Sequence, residues 1–467
     1  MDSAPSTDPI EILPNACGFA PSRLIDRFRA ALADSFLRKG ALSVFDQAIV
    51  SGTSFVTSVV LGRTCAKEEL GVYFLALSVV MFVRGIQEQL VSAPYMIYCN
   101  RRAGDELAKY AGSSLIHQFA VTALALAGLA GLLVCLGLGY GPAGLSATVW
   151  VLLGAAPFLL LREFVRQYAF SHFRMRTAIA VDAVVAALQL GGLLALAATG
   201  MLSAPAIFAV MGAACAAACA IWWTLSRGEM RIGRARWLPD WKHNWRFARW
   251  AAASQLVGCS APYILPWVLA IAHGEAETGV LAACTTLVGL GNMFVMGLSN
   301  YLSPKAAHAF AHGGRDELTR VLWKTALLFS ATLGSFLLFC LATGDWLAVF
   351  VYGDKYAGAG MVLALLAAGL WASSIAITAG NGLWAIERPQ ANFFADVCTL
   401  TATIVATALL VRPFGVVGIA LASLIGSTTS AAVLCFTLRR FVVTEFVATG
   451  FSRSRQTSIH GASNDLP

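Results

Sequence analysis

Windows of about 20 mostly apolar residues, the length needed to cross a hydrocarbon core, recur along this chain from Ala41 to Leu438. Twelve are expected, centred near residues 51, 82, 122, 158, 188, 213, 260, 288, 333, 370, 401 and 426. With 58% hydrophobic and 12% charged residues in a length of 467, the chain has too little polar surface to coat a water-soluble globule. The expected class is an all-α integral membrane protein.

The basic residues set the topology. Assigned to alternate sides of twelve spans, 28 of the 33 Lys and Arg fall on one side, in the N-terminal arm, the loops after even-numbered spans and the C-terminal tail. Arg63, Lys67, Lys355 and Arg412 fall on the other, and Arg84 lies inside span 2. Positive residues mark the cytoplasmic face, so both termini are expected in the cytoplasm. That placement accounts for the formal charge of +8 without a nucleic-acid partner. After span 6, Trp237, Trp241 and Trp245 recur four apart among basic residues, as in a linker lying at the membrane interface. The first 40 residues show no apolar core of a signal peptide. Instead Leu24, Ile25, Phe28, Leu32 and Phe36 recur at helical spacing among Arg23, Arg27 and Arg29, a pattern for an interfacial helix.

An offset of 208 residues sets Gln47 on Gln255, Leu61 on Leu269, Glu69 on Glu277, Gly71 on Gly279 and Val72 on Val280. With small length changes Pro94 meets Pro304, GDELAK at 104 meets RDELTR at 315, and Asp182 and Asp396 each open a span. Six spans return the chain to its starting side. The expectation is therefore about twelve transmembrane helices in two six-helix lobes, related by a pseudo-twofold axis along the membrane normal. The expected boundaries are a cytoplasmic arm at 1–40, a first lobe at 41–224, a basic cytoplasmic linker at 225–247, a second lobe at 248–438 and a cytoplasmic tail at 439–467. Lobes that rock about a central cavity point to transport. Outer loops such as GYGPAG and ATGMLSAP are too short to fold a catalytic domain, so no enzyme is expected.

The loop NRRAGDELAKYAG shares only a few letters with the glycine- and arginine-rich signature of the major facilitators. By contrast, the run from QAIVSGTSFVTSVVLGR through EELGVYFLAL to GIQEQLVSAP, followed by PFLLLREFVRQYAF, resembles the polysaccharide-flippase branch of the multidrug/oligosaccharidyl-lipid/polysaccharide exporter superfamily. The resemblance is clearest over roughly the first 180 residues. It implies a multi-pass protein of the bacterial inner membrane. Such a protein turns a polyprenyl-diphosphate-linked oligosaccharide toward the periplasmic leaflet for O-antigen or exopolysaccharide synthesis. Membrane lipids and other polysaccharide-assembly proteins are the implied partners, and no cofactor is. The resemblance also implies a cationic cavity and, in several members, an ion gradient. Here span 2 holds one deep arginine and later spans add few.

Deep charges cost about 2.5–3.5 kcal/mol each on insertion scales and so face a cavity or a partner. Arg84, Gln87 and Glu88 share one sector of span 2, with Arg84 and Glu88 spaced for an i, i+4 pair. They read equally as a buried lock or as a site where Arg84 attracts a diphosphate and Glu88 couples an ion. At the 208 offset the second lobe carries Asn292, Val295 and Met296, so the charge belongs to one lobe. Arg162 and Arg166 read as positive-inside anchors or as a face receiving the diphosphate. Asp46, Asp182 and Asp396 read as exposed helix-start carboxylates or as further coupling groups. Gln47, Gln255, Asn292 and Asn381 suit sugar hydroxyls or, more commonly, interhelical hydrogen bonds.

Pro94 and Pro304 are expected to bend spans 2 and 8 at matching points. Cys215 and Cys219 read as packing residues, and His308 with His312 as a solvated pair lacking a third metal ligand, so no metal is expected. Two other readings compete with the flippase. A cation-coupled multidrug exporter would show a smaller cavity of aromatics and carboxylates. A membrane glycan polymerase or ligase would need a large outer loop, which the chain lacks.

Overall fold

The computed structural model describes residues 35–461 except 143, 227, 229, 234 and 235. The interfacial helix expected at residues 24–36 lies outside the described residues for all but its last two positions. The first six helices are α1 Ser35–Thr64, α2 Lys67–Cys99, α3 Gly104–Gly137, α4 Leu145–Ser171, α5 Met175–Ala198 and α6 Ala204–Ser226. The seventh comes in two parts, α7a Trp237–Cys259 and α7b Ala261–His273, with a bend of 44° between them. Two longer helical runs follow, Glu275–Tyr352 and Pro389–Gly461, with α10 Gly360–Ala385 between them.

Each long run contains one glycine with non-helical dihedrals, Gly314 at φ 61° and Gly415 at φ 53°. Such positive φ suits a residue without Cβ. These breaks divide the runs into α8 and α9, and into α11 and α12. Among the described residues eight helical runs are long and apolar enough to cross a membrane, or nine counting the bent pair as one. Dividing the two long runs adds two more. The remaining span is α1, a helix of 30 residues. The twelve expected spans are therefore all present as helices.

Two reciprocal contacts express the repeat. A Cβ placed on Gly71 would stand 2.0 Å from the carbonyl oxygen of Glu275, and one on Gly279 would stand 2.1 Å from that of Lys67. These are one contact seen twice, as a pseudo-twofold between the lobes requires, and only glycine permits the approach. Likewise Glu69 Oε2 accepts from the Ala204 amide at 2.7 Å, and Glu277 Oε2 from the Val416 amide at 3.2 Å. Each carboxylate meets the positive end of a helix dipole, α6 in one lobe and α12 in the other.

The end of the bundle where α2 crosses α8 is called here the crossing end, and the opposite end, beside α7a, the linker end. Near the crossing end one apolar core runs through both lobes, joining Leu61 and Leu70 to Leu281, Tyr352 and Ile419. Toward the linker end the cores are separate. Val91, Tyr95, Tyr110 and Phe164 pack in the first lobe, while Leu302, Leu318 and Leu322 pack in the second.

The matched prolines do not make matching bends. Pro94 follows a π-helical turn, Glu88–Ser92, which widens the helix where the proline lacks an N–H and crowds the preceding turn. Pro304 lies inside a continuous stretch of α8 with no such turn.

Candidate transport pathway and intramembrane charge cluster

A cavity of about 290 Å³ lies between α1, α2 and α8. Gln47, Ser51, Ser54, Tyr73, Phe74 and Thr286 line it, a mixture of hydroxyls, an amide and aromatic rings. Its floor is Ser58, whose Oγ lies 3.1 Å from Thr286 Oγ1 and 3.3 Å from the Tyr352 hydroxyl. Tyr352 is fully buried and fits because α1 carries Gly62, where a Cβ would stand 2.4 Å from the ring. Beyond Tyr352, Arg63 Nε donates to the Val351 carbonyl at 2.7 Å, and Arg63 Nη2 donates to the Phe350 carbonyl. Lys355 Nζ donates back to the carbonyls of Arg63, at 3.3 Å, and of Cys65. In the other direction Gln47, Leu290 and Met293 are exposed. The cavity is shut at the crossing end and widens toward the linker end.

Beside this cavity, inside the first lobe, three arginines and three carboxylates form one cluster. Arg84 Nη2 lies 3.0 Å from Glu163 Oε1. Arg162 Nε donates to Asp182 Oδ1 at 2.9 Å. Arg166 is the hub. Its Nη2 donates to Asp46 Oδ2 at 2.8 Å and to Gln47 Oε1 at 3.2 Å, its Nε lies 3.0 Å from Asp182 Oδ2, and its Nη1 lies 3.6 Å from Glu163 Oε1. Formal charges cancel within the cluster, which is how so many ionised groups persist at membrane depth.

The cluster corrects several sequence expectations. Arg84 pairs across to Glu163 on α4, not with Glu88: Glu163 is buried and offers its carboxylate at 3.0 Å, whereas Glu88 is exposed. Glu88 is exposed and makes no ion pair among the described residues. Asp46 and Asp182 are not exposed helix starts. They are 0% and 1% exposed, since α1 and α5 each begin two or more turns earlier. Arg162 and Arg166 are buried partners of these carboxylates and not a free basic face.

Other expected residues serve as helix-to-helix struts. Gln87 is fully buried, and its Nε2 donates to the Leu160 carbonyl at 3.0 Å. Asn381 Nδ2 donates to Ser299 Oγ at 3.3 Å, tying α10 to α8. Gln255 on α7a lies against Gly85 of α2, where a Cβ would stand 3.1 Å from its amide nitrogen. Asn292 is exposed on α8. Asp396 is half-buried against Gly258, without an ion pair among the described residues. No group of three His, Cys, Asp or Glu side chains among the described residues is placed to hold a metal.

Sequence reasoning missed Glu163 and Gln189 as members of the site. Glu163 sits between Arg162 and Arg166 at membrane depth, and that sandwich was the available signal. Gln189 Nε2 donates to Thr57 Oγ1 at 3.0 Å, joining α5 to α1. The docking of α7a on the first lobe was also unforeseen. Arg102 lies 3.4 Å from Asp240 and stacks 3.6 Å over the Tyr110 ring, whose hydroxyl donates to Asn244 Oδ1 at 3.0 Å. His117 Nε2 meets the Trp237 carbonyl at 2.8 Å, and Arg231 and Arg236 pair with Asp105 and Glu106. By contrast α7b belongs to the second lobe, with His273 Nε2 on the Val411 carbonyl at 2.8 Å.

No protein-family model matches this chain, and no curated protein does. Solved structures do match. One, described as the lipid II flippase MurJ in an inward closed conformation, superposes with TM-score 0.70 at 15% identity, covering 86% of this chain and 87% of that one. An inward-facing multidrug resistance MATE family transporter of the MOP superfamily superposes with TM-score 0.71 at 13% identity, covering 85% of this chain and 94% of that one. An outward-facing MATE structure superposes less closely, with TM-score 0.60 at 13% identity over 87% and 95% of the two chains. The chain shares its fold with these solved transporters.

Proposed function

We propose that this protein is a flippase that moves a polyprenyl-diphosphate-linked oligosaccharide across the bacterial inner membrane, for O-antigen or exopolysaccharide synthesis, by alternating access. The carrying observation is the chemistry of the cavity. Serine hydroxyls, Thr286 and Gln47 stand beside Phe55, Tyr73 and Phe74, a lining suited to sugar hydroxyls and ring faces. Arg84, with 28% of its side chain exposed, is the least enclosed cation of the neighbouring cluster and is positioned to draw the diphosphate. The excess of Lys and Arg at the linker end supports placing that end and both termini in the cytoplasm. The bundle is then open inward, with 41–224 and 248–438 as its two rocking lobes.

Asp46 and Asp182 are the coupling groups in this reading. Both hold Arg166, and Asp46 Oδ1 is buried without a hydrogen-bond partner, so a proton or sodium ion arriving between the two carboxylates would loosen the hub. One observation favours the multidrug exporter instead: Glu88 is an exposed carboxylate outside the ion-paired cluster, open to a cationic drug.

The two readings separate in a deletion strain. Loss of surface polysaccharide, with its lipid-linked precursor retained on the cytoplasmic leaflet, is the flippase outcome. Unchanged polysaccharide with heightened sensitivity to cationic dyes is the exporter outcome and sinks the proposal. Arg84→Ala, at normal membrane abundance, is expected to restore less than a tenth of the polysaccharide. Glu88→Gln is expected to restore it nearly in full; under the exporter reading Glu88→Gln abolishes dye resistance.

A further inference from the structure

The crossing end carries few basic residues, and two of them are spent on backbone carbonyls of the opposite lobe. Arg63, at the end of α1, donates through Nε and Nη2 to the Val351 and Phe350 carbonyls in the last turn of α9. Lys355, just past the end of α9, donates through Nζ to the Arg63 and Cys65 carbonyls at the end of α1. A helix C-terminus leaves carbonyls without intrahelical donors and bears partial negative charge, so a cation is its natural cap. Here the caps are exchanged: each lobe caps the terminus of the other.

We infer that Arg63 and Lys355 are a latch that holds the transporter closed at its external face, and that their release from these carbonyls lets Tyr352 withdraw from Gly62 and the cavity open outward. The inference rests on the transporter reading and on the crossing end being external. The layering beneath the latch is what gives it this role. Tyr352 fills the notch at Gly62 and meets Ser58, and Ser58 with Thr286 closes the cavity directly below. No side-chain ion pair joins the lobes at this point among the described residues; the latch bonds are cation to carbonyl. Such bonds are remade with water on opening without leaving a carboxylate unpaired, which suits a contact that must break in every cycle.

The test uses Ser58→Cys as a reporter in the full chain, reconstituted in liposomes. A membrane-impermeant maleimide is added from either side, and labelling at residue 58 is read by peptide mass spectrometry, so the native cysteines do not interfere. Adding Arg63→Gln with Lys355→Met is expected to raise the external labelling rate at least tenfold and to lower the internal rate. A role limited to capping helix ends predicts lower thermal stability with both rates unchanged, which overturns the inference. A rise from both sides at once, the mark of a leak, also overturns it. Reversed orientation shows separately, as an exchange of the two curves in the Ser58→Cys parent. Should the double variant not accumulate, Arg63→Cys with Phe350→Cys replaces the latch by a disulfide. Oxidation is then expected to stop transport and reduction to restore it, and undiminished transport in the oxidised protein overturns the inference.

Discussion

Replacing Asp182 by alanine is expected to cost about 3–5 kcal/mol of stability, the largest effect of any single substitution in the first lobe. Asp182 takes the Arg162 Nε bond at 2.9 Å and stands 3.0 Å from Arg166 Nε. Without it two arginines on one helix are left with only Asp46 and Glu163 between them and Arg84, and one buried positive charge is uncompensated. Thermal unfolding in micelles measures the loss. The cluster account predicts that Arg162→Leu added to Asp182→Ala recovers a substantial part of the stability, because the charge left unpaired is then removed too. If the two substitutions simply add, the residues are not coupled and the cluster is not a unit. Asp182→Asn is expected to fall between, since it keeps the shape and loses the charge.

The second large effect lies at the lobe crossing. Gly71→Val and Gly279→Val each place a side chain where even a Cβ would stand about 2 Å from a backbone carbonyl oxygen of the other lobe. Overpacking ordinarily costs about 1–3 kcal/mol, and more where the obstructing atom is backbone and cannot swing aside. The crossing cannot form around either side chain, so each variant is expected to hold the crossing ends of the lobes apart and to reduce transport to background. Because both residues serve one contact, the double variant is expected to be no worse than either alone. Gly297→Val is the matched control, a glycine of α8 with nothing within 4 Å of a Cβ. Loss of transport in Gly297→Val to the same degree would mean that α8 tolerates no added bulk anywhere, and the crossing would have no special standing.

Much of this arrangement was legible in the chain. Twelve apolar windows could be counted because every span must satisfy its backbone internally and cover itself with hydrocarbon, which leaves a signal in each window. The 208 offset was legible at Gly71, Gly279, Glu69 and Glu277 because these residues do the same work in both lobes, close approach in one pair and helix-end capping in the other. What stayed hidden was tertiary partnership. Arg84 and Glu88 are neighbours by α-helical spacing, but Glu163, 79 residues away on another helix, takes the arginine. Asp46 looked like a helix start because it lies near the beginning of the first apolar window, whereas α1 begins at Ser35 and carries it inside. Periodicity describes one helix at a time, and the charge cluster is made by three elements facing a fourth.

The division of α7 bears on how such a chain can be taken apart. Its repeat suggests a seam between Ser226 and Trp237, where one half ends and the other begins. Yet α7a, encoded by the second half, covers Tyr110 and His117 of the first, and α7b remains with the second. Two separately expressed fragments cut at that seam would meet as plug and socket, the second piece handing its leading helix to the first. Cut instead at Ser260, α7a would stay with the lobe it covers, and the fragments would have to find each other through the crossing end alone: its glycines, its shared apolar core and the bonds of Arg63 and Lys355.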